Sequence, residues 1–210
     1  MKKTSILFLF TVFCSIQNIQ TYAEMNPFFS EFKTPYKIPP FELIQDEHYK
    51  PAFYRAMESH LNEVDAITSN IDSPSFTNTI IALEKSGKDL DVVSSTFFNL
   101  QSSNTNDIKD EIAAEMGPKL SGHYDAIYLN KELFNRVKSV REVSNELDLS
   151  IEQLRLISEI YKDFIRSGAQ LSEESMSLLT EINQELSSLT IEFDQNLLKE
   201  TNEGYQLVIA

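Results

Sequence analysis

Residues 172–203 read SEESMSLLTEINQELSSLTIEFDQNLLKETNE and contain no proline or glycine. Ser172 is a favourable N-cap, and Gly204 follows as a favourable helix terminator. Apolar side chains recur every three or four residues, at Met176, Leu179, Ile182, Leu186, Leu189, Phe193 and Leu197. This spacing predicts one long amphipathic helix that ends near Gly204.

The chain before this helix repeats the same pattern from Phe53 onward. Its apolar stripes are Phe53, Met57, Leu61, Val64 and Ile67; Ile80, Leu83, Leu90, Val93, Phe97 and Leu100; Ile108, Ile112 and Met116; Leu133, Phe134, Val137, Val140 and Leu147; Leu154, Ile157, Tyr161 and Phe164. Because the helices are long and their connections are short, we expect antiparallel neighbours. The predicted fold is all-α, with residues 53–203 as its helical domain.

Polar caps and helix breakers place the boundaries. Ser73-Pro74 favours a helix start, residues 104–107 (NTND) favour another, and Ser150 with Gln153 has the form of a capping box. We expect Gly87 to interrupt its stripe where neighbouring backbone approaches closely. Gly117-Pro118 predicts a break or a kink, because proline removes a hydrogen bond and clashes with the preceding turn.

Residues 24–52 are predicted to form an extended arm. Five of the seven prolines lie between positions 26 and 51, and proline disfavours a helix there. The same segment carries six aromatic residues, which are Phe28, Phe29, Phe32, Tyr36, Phe41 and Tyr49. We expect these side chains to pack on a larger body, because solvated linkers rarely carry so much apolar surface. A partner-binding motif is the less favoured interpretation.

Residues 1–23 have the layout of a secretory signal peptide. Two lysines precede an apolar run over residues 6–14, and small residues occupy the −3 and −1 positions of a cut after Ala23. An uncleaved anchor is less favoured, because a spanning helix needs about 20 apolar residues. A lipoprotein signal at Cys14 is disfavoured by the bulky Phe13 before it. Cleavage near Ala23 removes the one cysteine, and a thiol-free chain suits an oxidising compartment such as the periplasm.

Residues 204–210, GYQLVIA, have the character of an entering β-strand. An isolated strand leaves its backbone hydrogen bonds without partners, and the rest of the chain is predicted to be helical. We therefore interpret these residues as the start of a truncated strand.

The composition excludes several classes of function. The 210 residues include 32 acidic and 18 basic side chains, for a formal net charge of −14. Such a surface repels phosphate backbones and anionic lipid heads, so we expect no nucleic-acid partner and no stable membrane insertion. Five glycines argue against glycine-rich phosphate loops and turn-dense β folds.

A search for catalytic and metal-binding residues finds no convincing site. The histidines are His48, His60 and His123, and no His-Glu-x-x-His motif occurs. His48 follows two carboxylates and could form a metal corner, but a hydrogen-bonded structural histidine is favoured. We assign no role to the other two.

Nucleophilic and acid–base motifs are also missing from the sequence. It contains no Gly-x-Ser-x-Gly elbow. Paired carboxylates such as Asp110-Glu111 and Glu173-Glu174 lie near predicted helix N-termini, where the helix dipole explains them.

Nine strings, in this order and spacing, resemble one known family. They are residues 26–28 (NPF), 39–41 (PPF), 46–53 (DEHYKPAF), 76–84 (FTNTIIALE), 105–107 (TND), 118–130 (PKLSGHYDAIYLN), 163–169 (DFIRSGA), 182–187 (INQELS) and 193–197 (FDQNL). They resemble the N-terminal region of bacterial peptidyl-dipeptidases, in the thimet-oligopeptidase family of zinc metallopeptidases that also includes oligopeptidase A.

The resemblance implies the N-terminal half of a helical enzyme with a deep channel between two halves. Family members hold one zinc ion with His-Glu-x-x-His and a later glutamate, and they release dipeptides from the C-termini of short peptides. No residue of this chain matches that motif. The resemblance therefore supplies no catalytic, metal-binding or cofactor-binding residue here, and it implies a wall of the channel that limits entry to short peptides.

Three hypotheses remain open from the sequence. The first is an N-terminal fragment of a secreted peptidyl-dipeptidase, inactive alone, with a complementing C-terminal chain as a candidate partner. The second is a non-catalytic helical module that binds peptides or a partner. The third and least favoured is an acidic helical protein of unrelated structural function.

Overall fold

The computed structural model describes residues 26–203 of the chain. The predicted signal peptide and the predicted strand at 204–210 lie outside the described residues. Within residues 26–203, regular structure is helical and no strand occurs, so the all-α prediction is confirmed for this part. No described helix combines the length and hydrophobicity that crossing a bilayer requires.

Six of the seven α-helices within residues 26–203 are long. In chain order they are α1 (Asp46–Thr68), α2 (Ala82–Lys85), α3 (Lys88–Ser103), α4 (Asp107–Tyr128), α5 (Lys131–Val143), α6 (Ile151–Arg166) and α7 (Glu173–Glu203). The short α2 continues a π-helical turn, Phe76–Ile81, and further 3₁₀ turns are Pro27–Phe29, Pro35–Lys37 and Ser144–Glu146. The short connections between successive helices favour antiparallel neighbours.

Three of the predicted caps are confirmed. The Ser172 hydroxyl accepts a hydrogen bond from the backbone N–H of Ser175, at the start of α7. The Asn106 side chain accepts a hydrogen bond from the backbone N–H of Lys109, at the start of α4. Ser150 and Gln153 form a reciprocal capping box at the start of α6. Each cap satisfies backbone donors that the helix itself cannot pair.

Helix α1 begins earlier than predicted, because residues 46–52 of the expected extended arm are helical. The Gln45 N–H donates to Nδ1 of His48 over 2.9 Å, and the His48 N–H donates to the Gln45 carbonyl oxygen over 3.0 Å. This reciprocal pairing caps the helix before Pro51, whose ring costs the second turn one backbone hydrogen bond.

One other boundary was predicted wrongly, and of the break or kink predicted at Gly117-Pro118 the break does not occur. The helical segment after α1 is capped by Ser75 and Asn78, not by Ser73, and Pro74 precedes it. Helix α4 continues through Gly117-Pro118 without a break. A single proline removes one backbone hydrogen bond, and the packing of the flanking turns outweighs that loss.

The chain divides into two compact units, residues 1–52 and residues 53–210. In the described part of the first unit, Asn26 accepts a hydrogen bond from the Phe28 N–H and donates one to the His48 carbonyl oxygen. The Phe28 ring contacts those of Phe32 and Tyr49, with centroids 6.0 and 5.6 Å apart. The prolines of this segment open two 3₁₀ turns, so it is less extended than predicted.

The second unit has a hydrophobic core built from α1, α4, α5, α6 and the π-helical turn. Its buried members are Val64, Ile67, Ile80, Ile127, Leu133, Phe134, Val137, Val140, Ile157, Phe164 and Ala169. Most of the predicted stripe residues of α5 and α6 are buried here, as their spacing indicates.

Helix α7 packs against α4 through polar side chains and through Ile191, which lies against Gly117. Asn183 donates to Asp125 over 2.9 Å, and Gln195 donates to the Asp110 carbonyl oxygen over 2.9 Å. Of the predicted stripe of α7, Met176 is buried, Leu179 is half-buried and the other five residues are exposed. The helix itself was predicted correctly, but most of its apolar stripe faces away from the core.

Candidate functional site

His60 lies on the buried face of α1. That face runs through Ala56, His60, Val64 and Ile67, whereas Leu61 is exposed and Met57 is half-buried. The buried face of α1 therefore includes His60. It does not include Leu61, and Met57 lies at its border, although the sequence pattern placed both on the apolar stripe. An imidazole on such a face needs hydrogen-bond partners, because burial removes its water.

The partner of His60 is His123 on α4. His123 is buried on the face that also carries Met116, Leu120 and Ile127. The two imidazole rings have centroids 5.0 Å apart, and Nε2 of His123 lies 3.0 Å from Nδ1 of His60. The structure therefore brings together two histidines that are 63 positions apart in sequence.

The hydrogen bonds around the pair fix its tautomers. The Ser86 hydroxyl donates to the Leu83 carbonyl oxygen over 2.7 Å, so its oxygen is left to accept from Nε2–H of His60 over 3.3 Å. In neutral His60 the other ring nitrogen, Nδ1, then accepts from Nε2–H of His123. In neutral His60, both ring nitrogens are therefore hydrogen-bonded.

Burial lowers the pKa of both histidines. It takes the pKa of His123 to about 4, and the neighbouring His60 adds to the shift. The pKa of His60 is also lowered by burial, against the opposing influence of Glu63 and Asp91. The pair is therefore neutral at pH 7.

Gly87 allows the His60 ring to sit where it does. A Cβ at position 87 would lie 2.6 to 2.9 Å from three atoms of the imidazole, and the backbone has φ of +73°. The Gly87 N–H donates to the Glu63 carboxylate over 2.8 Å. The close approach that the sequence predicted at this glycine is made by a side chain, not by neighbouring backbone.

A cavity of about 270 Å³ opens beside His60. Its polar lining consists of His60, Ser86, Tyr124, Tyr128, Glu84, Asp91 and Asp163. Burial raises the pKa of Tyr128, and the nearby carboxylates of Asp163, Glu84 and Asp91 raise it further. Neither lysine nor arginine is among the described residues that line this cavity, so it is electronegative.

Ser86, His60 and His123 are connected in the order of a serine–histidine–histidine catalytic relay, but their hydrogen bonds do not suit nucleophilic catalysis. A nucleophilic Ser86 would have to donate its proton to His60, whereas its hydroxyl donates to the Leu83 carbonyl. The three carboxylates would also repel a developing oxyanion. We conclude that the histidine pair organises the junction of α1, α3 and α4 rather than performing nucleophilic catalysis.

Metal binding is not supported in the described part of the chain. Residues 26–203 contain no group of three or more His, Cys, Asp or Glu side chains that could hold a metal ion. His48 lies in the first unit, where its ring caps α1. The structural interpretation of His48 is thus the one that its hydrogen bonds support.

The paired carboxylates also have local structural partners. Glu173, in the first turn of α7, accepts from Lys131 over 2.8 Å, and this hydrogen bond lowers the pKa of Glu173. Asp110 accepts hydrogen bonds from Thr105 and Gln101 near the start of α4. Neither pair lines the cavity beside His60.

The histidine pair was missed at the sequence level, although a signal for it was present. His60 follows Phe53 and Ala56 at helical spacing, and His123 follows Met116 and Leu120 in the same way. This spacing is typical of a buried helix face, and a buried imidazole requires a polar partner. Which partner it finds depends on how α1 and α4 pack.

Comparisons with known proteins identify relatives for most of the chain. It is 38% identical over 180 residues to dipeptidyl carboxypeptidase of Escherichia coli (strain K12), and 37% identical over 179 residues to the Salmonella typhimurium protein of that name. It is 29% identical over 167 residues to oligopeptidase A of Haemophilus influenzae. No protein-family model matches the chain.

The matches cover this chain and its relatives very unequally. They include 86%, 85% and 78% of this chain, but 26%, 26% and 24% of the respective relatives. The chain thus spans about a quarter of the length of the curated relatives that it matches.

Proposed function

Because the chain belongs, over most of its length, to the thimet-oligopeptidase family, we propose that it is the helical N-terminal part of a zinc peptidase of the peptidyl-dipeptidase type. In the complete enzyme this part is a wall of the channel that admits short peptides. The reaction is the release of dipeptides from peptide C-termini. The chain contributes shape and contacts to that reaction, and no catalytic group.

The observation that carries this proposal is the match to dipeptidyl carboxypeptidase of Escherichia coli. Identity of 38% extends over 86% of this chain but over 26% of that protein. The described helices and the absence of a His-Glu-x-x-His motif from the sequence are consistent with a part that precedes the catalytic residues.

The described residues of this chain do not fit a zinc site. The described residues offer no cluster of three potential metal ligands. The facing nitrogens of His60 and His123 are hydrogen-bonded to each other. Family zinc would therefore be held by a different polypeptide segment. We infer from this that the isolated chain has no peptidase activity.

We further propose that the chain acts in the periplasm. The support is the sequence of residues 1–23, with its lysines, apolar run and small residues before the expected cut at Ala23. N-terminal sequencing of the exported chain tests this proposal. A mature protein that begins at Glu24 is expected, and a cytoplasmic chain with an intact N-terminus would contradict it.

A peptidase assay tests the main proposal. The purified chain is incubated with a blocked tripeptide that has a free C-terminus, with zinc and separately with a chelator. We expect no dipeptide release in either condition. Chelator-sensitive release, after contaminating peptidases are excluded, would show that an active site lies within these 210 residues.

Complementation then tests the relationship to the complete enzyme. The chain is mixed with a form of the Escherichia coli dipeptidyl carboxypeptidase that lacks the matching first quarter. Restored release of dipeptides would support the role of a channel wall. Failure to restore activity, with both polypeptides folded, would favour the second candidate function, a non-catalytic module that binds a partner.

One structural observation is compatible with both candidates. Five members of the α7 stripe are exposed, and such a continuous apolar surface is typical of an interaction site. The same surface is expected for a part of a larger enzyme. The two candidates are therefore separated by activity in the complementation assay, not by binding alone.

A further inference from the structure

We propose that the outward face of α7 binds an amphipathic helix of another polypeptide, one whose apolar face is bordered by lysine or arginine. This binding face consists of Leu178, Ile182, Leu186, Leu189, Phe193 and Leu197. The inference goes beyond the proposed peptidase role and specifies the partner of the second candidate function.

The binding face is exposed over its whole length. Its six side chains are 49% to 65% exposed. From Leu178 to Leu197 the helix rises about 28 Å, at 1.5 Å per residue. Contiguous apolar surface of this length on a helix is rare without a partner, because burial of apolar side chains is favourable.

The fold does not need the binding face for its own packing. Helix α7 is attached to α4 through Asn183, Ser187, Ile191 and Gln195. Ser187 and Ile191 come so close to Gly117 that a Cβ there would lie 3.2 Å from the Ser187 hydroxyl and 2.0 Å from Ile191 Cδ1. Among the described residues, one side of α7 is thus packed against α4, whereas its apolar face is exposed.

One edge of the binding face adjoins a groove where α7 meets α3 and α4. The groove has a volume of about 490 Å³ and is lined by residues that include Phe98, Leu120 and Leu186. Large apolar side chains of a docked helix can enter it, as ridges enter grooves in helix packing. A flat lipid surface would leave this groove unfilled.

The opposite edge carries negative charge. At 100° per residue, Glu174, Glu181, Glu185 and Glu192 lie along this edge, followed by Lys199 near the end of the helix, and all five are exposed. No ion pair reaches them from the described residues. A partner helix with lysine or arginine on the matching edge would pair with this row, as charged edges do in coiled coils.

The same charge disfavours two other occupants. A second copy of this chain carries the same glutamate row and a net charge of −14, so pairing of the two faces would bring like charges together. Anionic lipid vesicles would be repelled for the same reason. The occupant that fits both edges is a basic amphipathic helix.

The test uses the purified chain and two designed 22-residue helical peptides as probes. Both peptides carry leucines at helical spacing on one face, with lysines along the edges of one peptide and glutamates along the edges of the other. Binding is measured by fluorescence anisotropy. We expect the lysine peptide to bind at least about tenfold more tightly than the glutamate peptide, a ratio that should fall with added salt.

Two variants locate the binding. Leu186→Ser with Phe193→Ser should weaken binding of the lysine peptide by at least about tenfold. The matched control is Ile151→Ser, which changes an apolar residue that is 82% exposed elsewhere in the second unit, and it should bind as the unchanged chain does. Circular dichroism verifies that each variant is folded.

Charge reversal gives a readout that a folding defect would not imitate. Glu185→Lys with Glu192→Lys should shift the preference toward the glutamate peptide. Equal binding of both peptides, loss of binding in the Ile151→Ser control, or no binding at all would overturn the proposal. A dimer in sedimentation that disappears in the Leu186→Ser, Phe193→Ser variant would assign the face to a second copy and also overturn it.

Discussion

At position 87, a single hydrogen in place of a side chain allows the histidine pair to form. The His60 ring occupies the space that a Cβ would need, and the backbone has a positive φ of 73°. Glycine adopts this conformation at little cost, whereas other residues pay about 1–2 kcal/mol. Glycine is therefore required at position 87 for two separate reasons, the positive φ and the close approach of the His60 ring.

Gly87→Ala is expected to destabilise the protein by about 2 kcal/mol, from backbone strain and from displacement of the imidazole. Urea unfolding measures this change. Gly122→Ala is the matched control, because there a Cβ would meet the end of the exposed Gln184 side chain, which can rotate away. The free energy of unfolding of the Gly122→Ala control should be unchanged or higher by up to about 1 kcal/mol. Equal stability of the two variants would contradict this account.

The histidine pair predicts a pH dependence of stability. The pKa of His123 is about 4 in the folded protein and ordinarily 6.5, so the unfolded chain binds more protons between these values. The contribution of His123 is complete above pH 6.5 and is lost as the pH falls toward 4. It amounts to at most about 3 kcal/mol, from 1.36 kcal/mol per pKa unit.

His123→Gln tests this dependence by difference. Glutamine can still donate a hydrogen bond to Nδ1 of His60, but it does not titrate. The free energy of unfolding, measured from pH 7 to pH 4, should fall less steeply for this variant than for the unchanged chain. Carboxylates contribute equally to both proteins, so parallel pH curves would show that His123 does not carry the effect.

At the scale of elements, the interface between α4 and α7 depends on small residues of α4. Gly117→Leu is expected to destabilise the protein by about 2 kcal/mol, since even a Cβ would lie 2.0 Å from Ile191 Cδ1. Ile191→Ala removes the obstructing atoms. In a double-mutant cycle by urea unfolding, we expect a favourable coupling of at least about 1 kcal/mol. Simple additivity would indicate that these residues do not meet.

The existence of the long helices could be predicted from the sequence, whereas some boundaries could not. The caps at Asn106 and Ser150 were correct because side chain and backbone donor are three residues apart, a purely local relation. The start of α1 and the continuity of α4 through Pro118 were missed. In both cases the local penalty of a proline is outweighed by packing, which local propensity does not include.

At the scale of the whole molecule, the most distinctive property is an acidic surface crossed by an apolar stripe. Binding of the hydrophobic dye ANS reports such exposed apolar surface. Leu186→Ser with Phe193→Ser should reduce ANS fluorescence and leave the thermal midpoint nearly unchanged, because these side chains are 59% and 65% exposed. Ile151→Ser, at an isolated exposed position, should change neither quantity.

An opposite result would revise the description of α7. A large drop in the thermal midpoint of the Leu186→Ser, Phe193→Ser variant would mean that the stripe is buried in solution. Unchanged ANS fluorescence with an unchanged midpoint would place the dye-binding surface elsewhere, for example at the groove beside Phe98 and Leu120.

The sequence by itself determined the all-α class, the family relationship and the places of most helices. These depend on periodicity, local caps and the order of motifs, all of which can be read along one dimension. The tertiary structure decided which side of α7 faces the core and that His60 meets His123. Both depend on residues far apart in the chain. Helix α7 packs on α4 with Ser187 and Ile191 against Gly117, and α4 also places Nε2 of His123 3.0 Å from Nδ1 of His60.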